Sequence, residues 1–197
     1  MEKKFYKKIY SHKDFYKALV LAFRSVKYLR LNRKKKLISP QFKERIMLAV
    51  TEVNGCEACS YAHTKFALEE GMDIKEINAI LSGDTKTIPE NELVGIFFAQ
   101  YYTDNNGKGS QKSWQGLIDK YGEEKAMIIL AMIRMMTVGN IYGMAYGALI
   151  DRFKGKPSGK TSLFYEISIM LSILIYMHAA IVHAIFDNIR NKTIYPF

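Results

Sequence analysis

The sequence predicts an all-α fold in one domain. Three observations carry this: helical spacing of apolar residues recurs along the chain, no stretch alternates apolar and polar residues as a half-buried strand would, and serine, proline and glycine punctuate the segments at helix-boundary positions. The 197 residues suffice for one sizeable core, and a composition of 49% hydrophobic and 24% charged residues is that of a globular chain. Four prolines against thirteen Tyr and eleven Phe argue against disorder, and no solenoid-type repeat is visible.

The elements follow in order. Lys13 to Leu31 reads as an amphipathic helix, with Leu19, Ala22, Phe23, Val26 and Leu29 at helical spacing. Ser39-Pro40 offers an N-cap followed by proline at the first helical position, opening a helix to about Val53 that Asn54-Gly55 ends. The next helix begins near Cys56 and stops at Gly71. Asp73-x-x-Glu76 is an acidic variant of the capping box, opening a short helix to about Leu81, which Ser82-Gly83 terminates. Pro89 to Asp104 reads as a helix, Asn105 to Gly109 as a loop, and Ser113 to Lys120 as a further short helix. Glu123 to Phe153 is a long apolar helical pattern with a break expected near Gly139, followed by the linker Lys154 to Gly159 and a last helix from Ser162 to Arg190. The single domain 1–197 thus divides into a basic N-terminal segment (1–38), a central segment (39–82) and the remaining helices (83–197).

Charge is uneven. Residues 1–50 hold fifteen Lys or Arg against three acids, so the net charge of +10 originates in the N-terminal segment, most densely at Arg30, Arg33, Lys34, Lys35 and Lys36. Such a run suits nucleic acid or an anionic membrane, but it also suits a solvated helix C-terminus, the reading adopted here. No nucleic-acid partner is expected. Met1 to Phe15 has no apolar core of a secretory signal, so a cytoplasmic protein is expected.

Two features of the second half have two readings each. Gly139, Gly143 and Gly147 recur every four residues and share one helix face. Close packing of a neighbouring element is the expected role, with a ligand against bare backbone as the other. Ile167 to Phe186 approaches the length of a membrane span, but Glu166, Ser168, Ser172, His178 and His183 interrupt or flank it. A buried core or subunit-interface helix is expected in preference to a span, because ionisable groups in mid-bilayer are costly. Membrane contact through the basic N-terminus stays open. His178 and His183 lie about 140° apart on a helix and do not converge, and His12 falls in a basic segment expected to be exposed.

The only two cysteines form one C-x-x-C, and without a secretory signal this reads as a working redox or metal pair. On a helix, Cys56, Cys59 and His63 fall within roughly a 60° arc, so two sulfurs and an imidazole point the same way. Cys56 is placed in the first turn, where the helix dipole favours a thiolate, which is the nucleophilic form. Thiol chemistry also needs proton transfer, which His63 and a nearby carboxylate can supply. Spacing alone leaves Glu44, Glu52 and Glu57 as candidates, with Glu57 rotated off the shared face.

The set Glu44-x11-Cys56-x2-Cys59-x3-His63 resembles the signature of the alkylhydroperoxidase D-like branch of the carboxymuconolactone decarboxylase family. Asn54-Gly55 before the pair and Ala62-His63 after it are also similar. The close resemblance covers roughly residues 39–82; the later helical pattern and the segment containing Asn140 resemble the family more loosely. The resemblance implies an all-α fold assembling into homo-oligomers, no cofactor, and a peroxidase or disulfide-exchange reaction. Cys59 would attack a hydroperoxide and become a sulfenic acid, and Cys56 would resolve it to a disulfide. Glu44 would draw the proton through a water, and His63 would complete the relay. A dithiol donor, such as a lipoyl domain or a thioredoxin-like protein, would restore the thiols. Ala58 stands where some members carry a second histidine, which puts the fuller proton relay in doubt. The decarboxylase branch lacks the cysteine pair, so lactone decarboxylation is not expected.

Other readings of the same residues are a non-enzymatic redox sensor and a zinc site using Cys56, Cys59, His63 and Glu44. Structural zinc usually draws ligands from two separate elements, and the sequence has no second Cys/His cluster. Haem attachment would need histidine where Ser60 stands, and a thioredoxin-type pair would need a βαβ context.

Overall fold

The computed structural model describes residues 5–197. Seven helices, and no strand among the described residues, make up the chain: α1 (His12–Lys35), α2 (Pro40–Asn54), α3 (Glu57–Glu69), α4 (Ile74–Leu81), α5 (Leu93–Asp104), α6 (Gln111–Phe153) and α7 (Leu163–Ile189). The all-α expectation holds.

Local chemistry sets the boundaries. The Ser39 hydroxyl accepts from the Phe42 N–H and Pro40 opens α2, as the sequence indicates. Gly55 closes α2 at φ +70°, where an L side chain is strained, and a Cβ there would also lie 2.8 Å from the Lys7 backbone nitrogen. Asp73 caps α4 by accepting from the Lys75 N–H. The expected box is not completed by Glu76, which turns instead to Arg45. That guanidinium also binds Glu92 at 2.9 Å, so a tertiary ion pair outcompetes the local cap. Residues 89–92 form a turn before α5 rather than its first turn.

Helix α6 is the central element, packed against α1, α2, α3, α5 and α7. Its Ile128, Ile129, Leu130, Ile133 and Ile141 are fully buried with Leu48 and Val50 of α2 and Phe15 of α1. The expected separation of the short helix, Ser113 to Lys120, from the long one, Glu123 to Phe153, is present as a kink at Gly122, whose φ of 77° and ψ of 158° leave helical space, whereas the break expected near Gly139 is absent and the helix continues unbroken through it. An isolated glycine inside a helical pattern need not break it, which is why no break occurs at Gly139.

For helix α7, expected as a buried core or subunit-interface helix, the core alternative is the one overturned. Both α6 and α7 are long and apolar enough to cross a membrane by length and composition. The apolar 18-residue window of α6 is 67% buried, and that of α7 only 17%. Helix α7 is therefore not a core helix of this chain. It packs one side on α1 and α6 and leaves the other uncovered. His12 is not free on the surface either, since its Nε2 lies 2.9 Å from the Ser168 hydroxyl of α7.

Candidate active site at the Cys56–Cys59 disulfide

The α2–α3 turn delivers both cysteines to the face of α6. Cys56 is the N-cap of α3, one position before the expected first turn, and its sulfur accepts from the Cys59 N–H at 3.3 Å. Cys56 and Cys59 form a disulfide with Cα atoms 5.3 Å apart. Cys56 is fully buried and Cys59 is 8% exposed, so Cys59 is the more accessible residue of the two. Once reduced, both sulfurs stand at a helix N-terminus, which favours negative charge on them.

The glycine stripe makes room for this pair. A Cβ on Gly143 would lie 2.7 Å from Cys59 Sγ and 2.9 Å from Cys56 Sγ. The Gly139 carbonyl oxygen is 3.6 Å from Cys59 Sγ, close enough to accept from the thiol when the disulfide is open. At Gly147 a Cβ would meet the Tyr6 hydroxyl at 3.3 Å and the Ala58 Cβ at 4.0 Å. The close-packing role expected for the stripe is observed at Gly143 and Gly147, which accommodate the disulfide end of α3, whereas a Cβ at Gly139 would meet nothing within 4 Å.

One turn further along α3, His63 Nδ1 donates to Glu44 Oε2 at 2.7 Å, and Lys43 Nζ donates to Glu44 Oε1 at 2.9 Å. Of the three candidate carboxylates, Glu44 alone pairs with the histidine. Glu52 binds Lys7 at 2.6 Å on the outer side of the turn, and Glu57 is exposed. Burial pushes the Glu44 carboxyl up, but the hydrogen bonds from His63 and Lys43 outweigh it and hold the group below the ordinary glutamate value. Glu44 is therefore an anion at neutral pH. A carboxylate can only accept, so the proton of this bond sits on His63 Nδ1 and leaves Nε2 available for exchange.

A buried polar chain holds the turn to α6. Asn54 Oδ1 accepts from the Tyr10 hydroxyl at 2.6 Å, Asn54 Nδ2 donates to Asn140 Oδ1 at 2.8 Å, and Asn140 Nδ2 donates to Thr51 Oγ1 at 3.2 Å. The segment before α1 straps across the same turn, with the Tyr6 N–H bound to the Gly55 carbonyl at 2.7 Å. The Tyr6 hydroxyl, pushed up to about 12 by burial and by Asp151 and Glu57, stays protonated and meets Asp151 at 3.5 Å.

Residues 16–85 match the carboxymuconolactone decarboxylase family. The match runs from within α1 to just past α4 and contains Glu44, Cys56, Cys59 and His63; it covers about a third of the chain. No curated protein and no solved structure matches the chain. The match to that family and the C-x-x-C disulfide are together compatible with a redox role. Among the described residues, no three His, Cys, Asp or Glu side chains converge as a metal cage.

Sequence reasoning did not reach Lys43, the Asn54–Asn140 link or the Tyr6 strap. Lys43 had a signal, since it adjoins Glu44 in the chain. The other contacts join residues 86 and 49 positions apart, and nothing local encodes them.

Proposed function

We propose that the chain is a thiol-dependent oxidoreductase of the alkylhydroperoxidase D-like kind, which reduces a hydroperoxide at Cys59 and passes the oxidation to Cys56. The observation that supports it most is the Cys56–Cys59 disulfide seated on Gly143, with His63 one turn further along α3 and paired there with Glu44 of α2.

In the reduced protein the Cys59 proton leaves by way of a water to the Glu44–His63 pair. Cβ atoms four residues apart on a helix stand about 5–6 Å from each other, which is the span of a water-bridged transfer. The Cys59 thiolate attacks the terminal oxygen of ROOH. The O–O bond breaks, ROH departs with a proton from the relay, and Cys59 becomes a sulfenic acid. Cys56 sulfur then attacks Cys59 sulfur and expels water, closing the disulfide. An external dithiol, of the lipoyl or thioredoxin-like class, reduces it by thiol–disulfide exchange and leaves as a disulfide. The sum is ROOH plus dithiol giving ROH, water and disulfide. Full burial of Cys56 suits a resolving thiol that must not meet peroxide first, and the slight exposure of Cys59 suits the attacking one.

Turnover tests the proposal. Hydroperoxide consumption supported by dihydrolipoamide should be lost in Cys59→Ser, and consumption retained in that variant contradicts it.

A further inference from the structure

Helix α7 is amphipathic in the reverse sense to a surface helix of a water-soluble domain. Its charged groups and most of its polar ones face the protein, His178 and Asn188 being the exposed exceptions. Glu166, fully buried, accepts from Arg152 Nε and Nη2 at 2.8 Å each and from the Thr161 hydroxyl at 2.6 Å. His183 Nδ1 lies 3.1 Å from the Tyr16 hydroxyl, and Asp187 binds Lys192 at 2.6 Å and Arg24 at 3.8 Å. Twelve large apolar side chains face outward instead, among them Phe164 (81% exposed), Leu174 (65%), Ile175 (71%) and Ile189 (70%). No exposed residue from 163 to 189 is Asp, Glu, Lys or Arg. The helix is about 40 Å long at 1.5 Å per residue. An apolar strip of that length exceeds what monomeric soluble proteins ordinarily leave to water.

The strip is bracketed by cations. Exposed Lys154, Lys156 and Lys160 precede it, the last with its ammonium on the Tyr6 carbonyl at 2.9 Å, and exposed Arg190 and Lys192 follow it, Lys192 being paired with Asp187. Helices α1 and α7 run in the same direction, since His12 meets Ser168 and Arg24 meets Asn188. Helix α1 continues eleven residues past Arg24, so its exposed run Arg33, Lys34, Lys35 lies beyond the same end of the strip as Arg190.

We propose that the outer face of α7 seats the protein flat on an anionic lipid surface, its apolar side chains among the acyl chains and the flanking cations on the headgroup phosphates. Both parts of such binding, buried apolar area and attraction to anionic lipid, are present on one helix. A second copy fits the face less well. Parallel pairing sets Lys154, Lys156 and Lys160 against themselves, and antiparallel pairing sets them against Arg190 and Lys192, between chains of net charge +10 each. The two acids that would relieve this, Glu166 and Asp187, are already buried and paired. Crossing the bilayer is disfavoured because α7 is packed along α1, whose exposed Lys13, Lys17 and Lys27 would enter hydrocarbon with it.

The test is flotation of the full chain with vesicles on a density gradient, alongside sedimentation without lipid. The wild type should float with phosphatidylcholine vesicles containing phosphatidylglycerol, and roughly tenfold or more weakly with phosphatidylcholine alone. Leu174→Glu/Ile175→Glu, on the outer face, should abolish flotation while leaving the helical circular dichroism and thiol reactivity unchanged. Lys154→Ser/Lys156→Ser/Lys160→Ser should weaken flotation only with the anionic vesicles. Three results would each overturn the proposal: no flotation of the wild type with either vesicle, flotation of the glutamate variant equal to wild type, or a lipid-free oligomer that does not float and that the glutamate variant converts to monomers. The last would assign the face to a second copy.

Discussion

Gly143 of α6 faces Cys59 of α3 so closely that a single added carbon would stand 2.7 Å from the Cys59 sulfur. This contact ties a motif on one short helix to a glycine more than eighty residues away, and it explains why the α6 face opposite the cysteines carries no side chain there. Gly143→Ala therefore sets two effects against each other. Alanine is favoured over glycine in a helix by about 1 kcal/mol, whereas a carbon forced into a packed site costs about 1–3 kcal/mol. The contact is to two sulfurs held in a short loop, which cannot retreat as a flexible side chain can. We expect oxidised Gly143→Ala to be less stable than wild type in urea unfolding, and its disulfide to form more slowly. Gly139→Ala is the control, since a Cβ there meets nothing within 4 Å; it should be neutral or stabilising by up to about 1 kcal/mol.

The roles of the two sulfurs are separable. Cys56→Ser leaves the more exposed cysteine without its resolving partner, so one equivalent of hydroperoxide should leave a Cys59 sulfenic acid that dimedone traps, seen as the adduct mass on the Cys59 peptide. Cys59→Ser should give no adduct at Cys56, which is fully buried. Labelling of Cys56 at the wild-type rate would reverse the assignment.

Glu44 gives a pH dependence of defined sign. Its carboxyl is held below the ordinary value by His63 and Lys43 against the opposing effect of burial. A carboxyl whose pKa is lower folded than unfolded stabilises the fold above its unfolded value, near 4.3, and loses that contribution as pH falls through the folded value. Glu44→Gln should thus be less stable than wild type at pH 7, by about 1–3 kcal/mol as for a disrupted buried hydrogen-bonded group. The two melting temperatures should converge on acidification below the ordinary carboxyl range. The same variant should also slow thiolate formation at neutral pH; an unchanged rate–pH profile would remove Glu44 from the relay.

Asn140 is predicted to be structural for the site. Asn140→Ala leaves Asn54 Nδ2 and Thr51 Oγ1 without their partner in a buried setting, at a cost of about 1–3 kcal/mol. Chemical denaturation should show this loss in oxidised and reduced protein alike, which separates it from an effect acting through the disulfide.

What the sequence disclosed and what it withheld have physical reasons. Ser39-Pro40 and Gly55 are legible because capping and positive φ are decided within a few residues. The shared face of Cys56, Cys59 and His63 follows from helical periodicity alone. The choice of Glu44 over Glu52 and Glu57 required knowing which side of α2 meets α3, which spacing does not encode. Glu76 satisfied a local capping pattern and yet belongs to Arg45, because a tertiary ion pair competes with the cap for the same carboxylate. The placement of α7 was hidden for a related reason. Its composition suits a buried helix, but Glu166 and Asp187 are drawn inward by Arg152, Lys192 and Arg24, and that turns the apolar side chains out.

Hydroperoxide reduction by Cys59 and Cys56 acting as a pair is open to direct measurement. Reduced, chelator-treated protein is given one equivalent of hydroperoxide, free thiols and intact mass are followed, and dihydrolipoamide is then supplied with further peroxide. Both thiols should be lost together, with a mass lower by two hydrogens, formation of one equivalent of alcohol, and renewed consumption on addition of the dithiol. Thiols that persist beside intact hydroperoxide would contradict it.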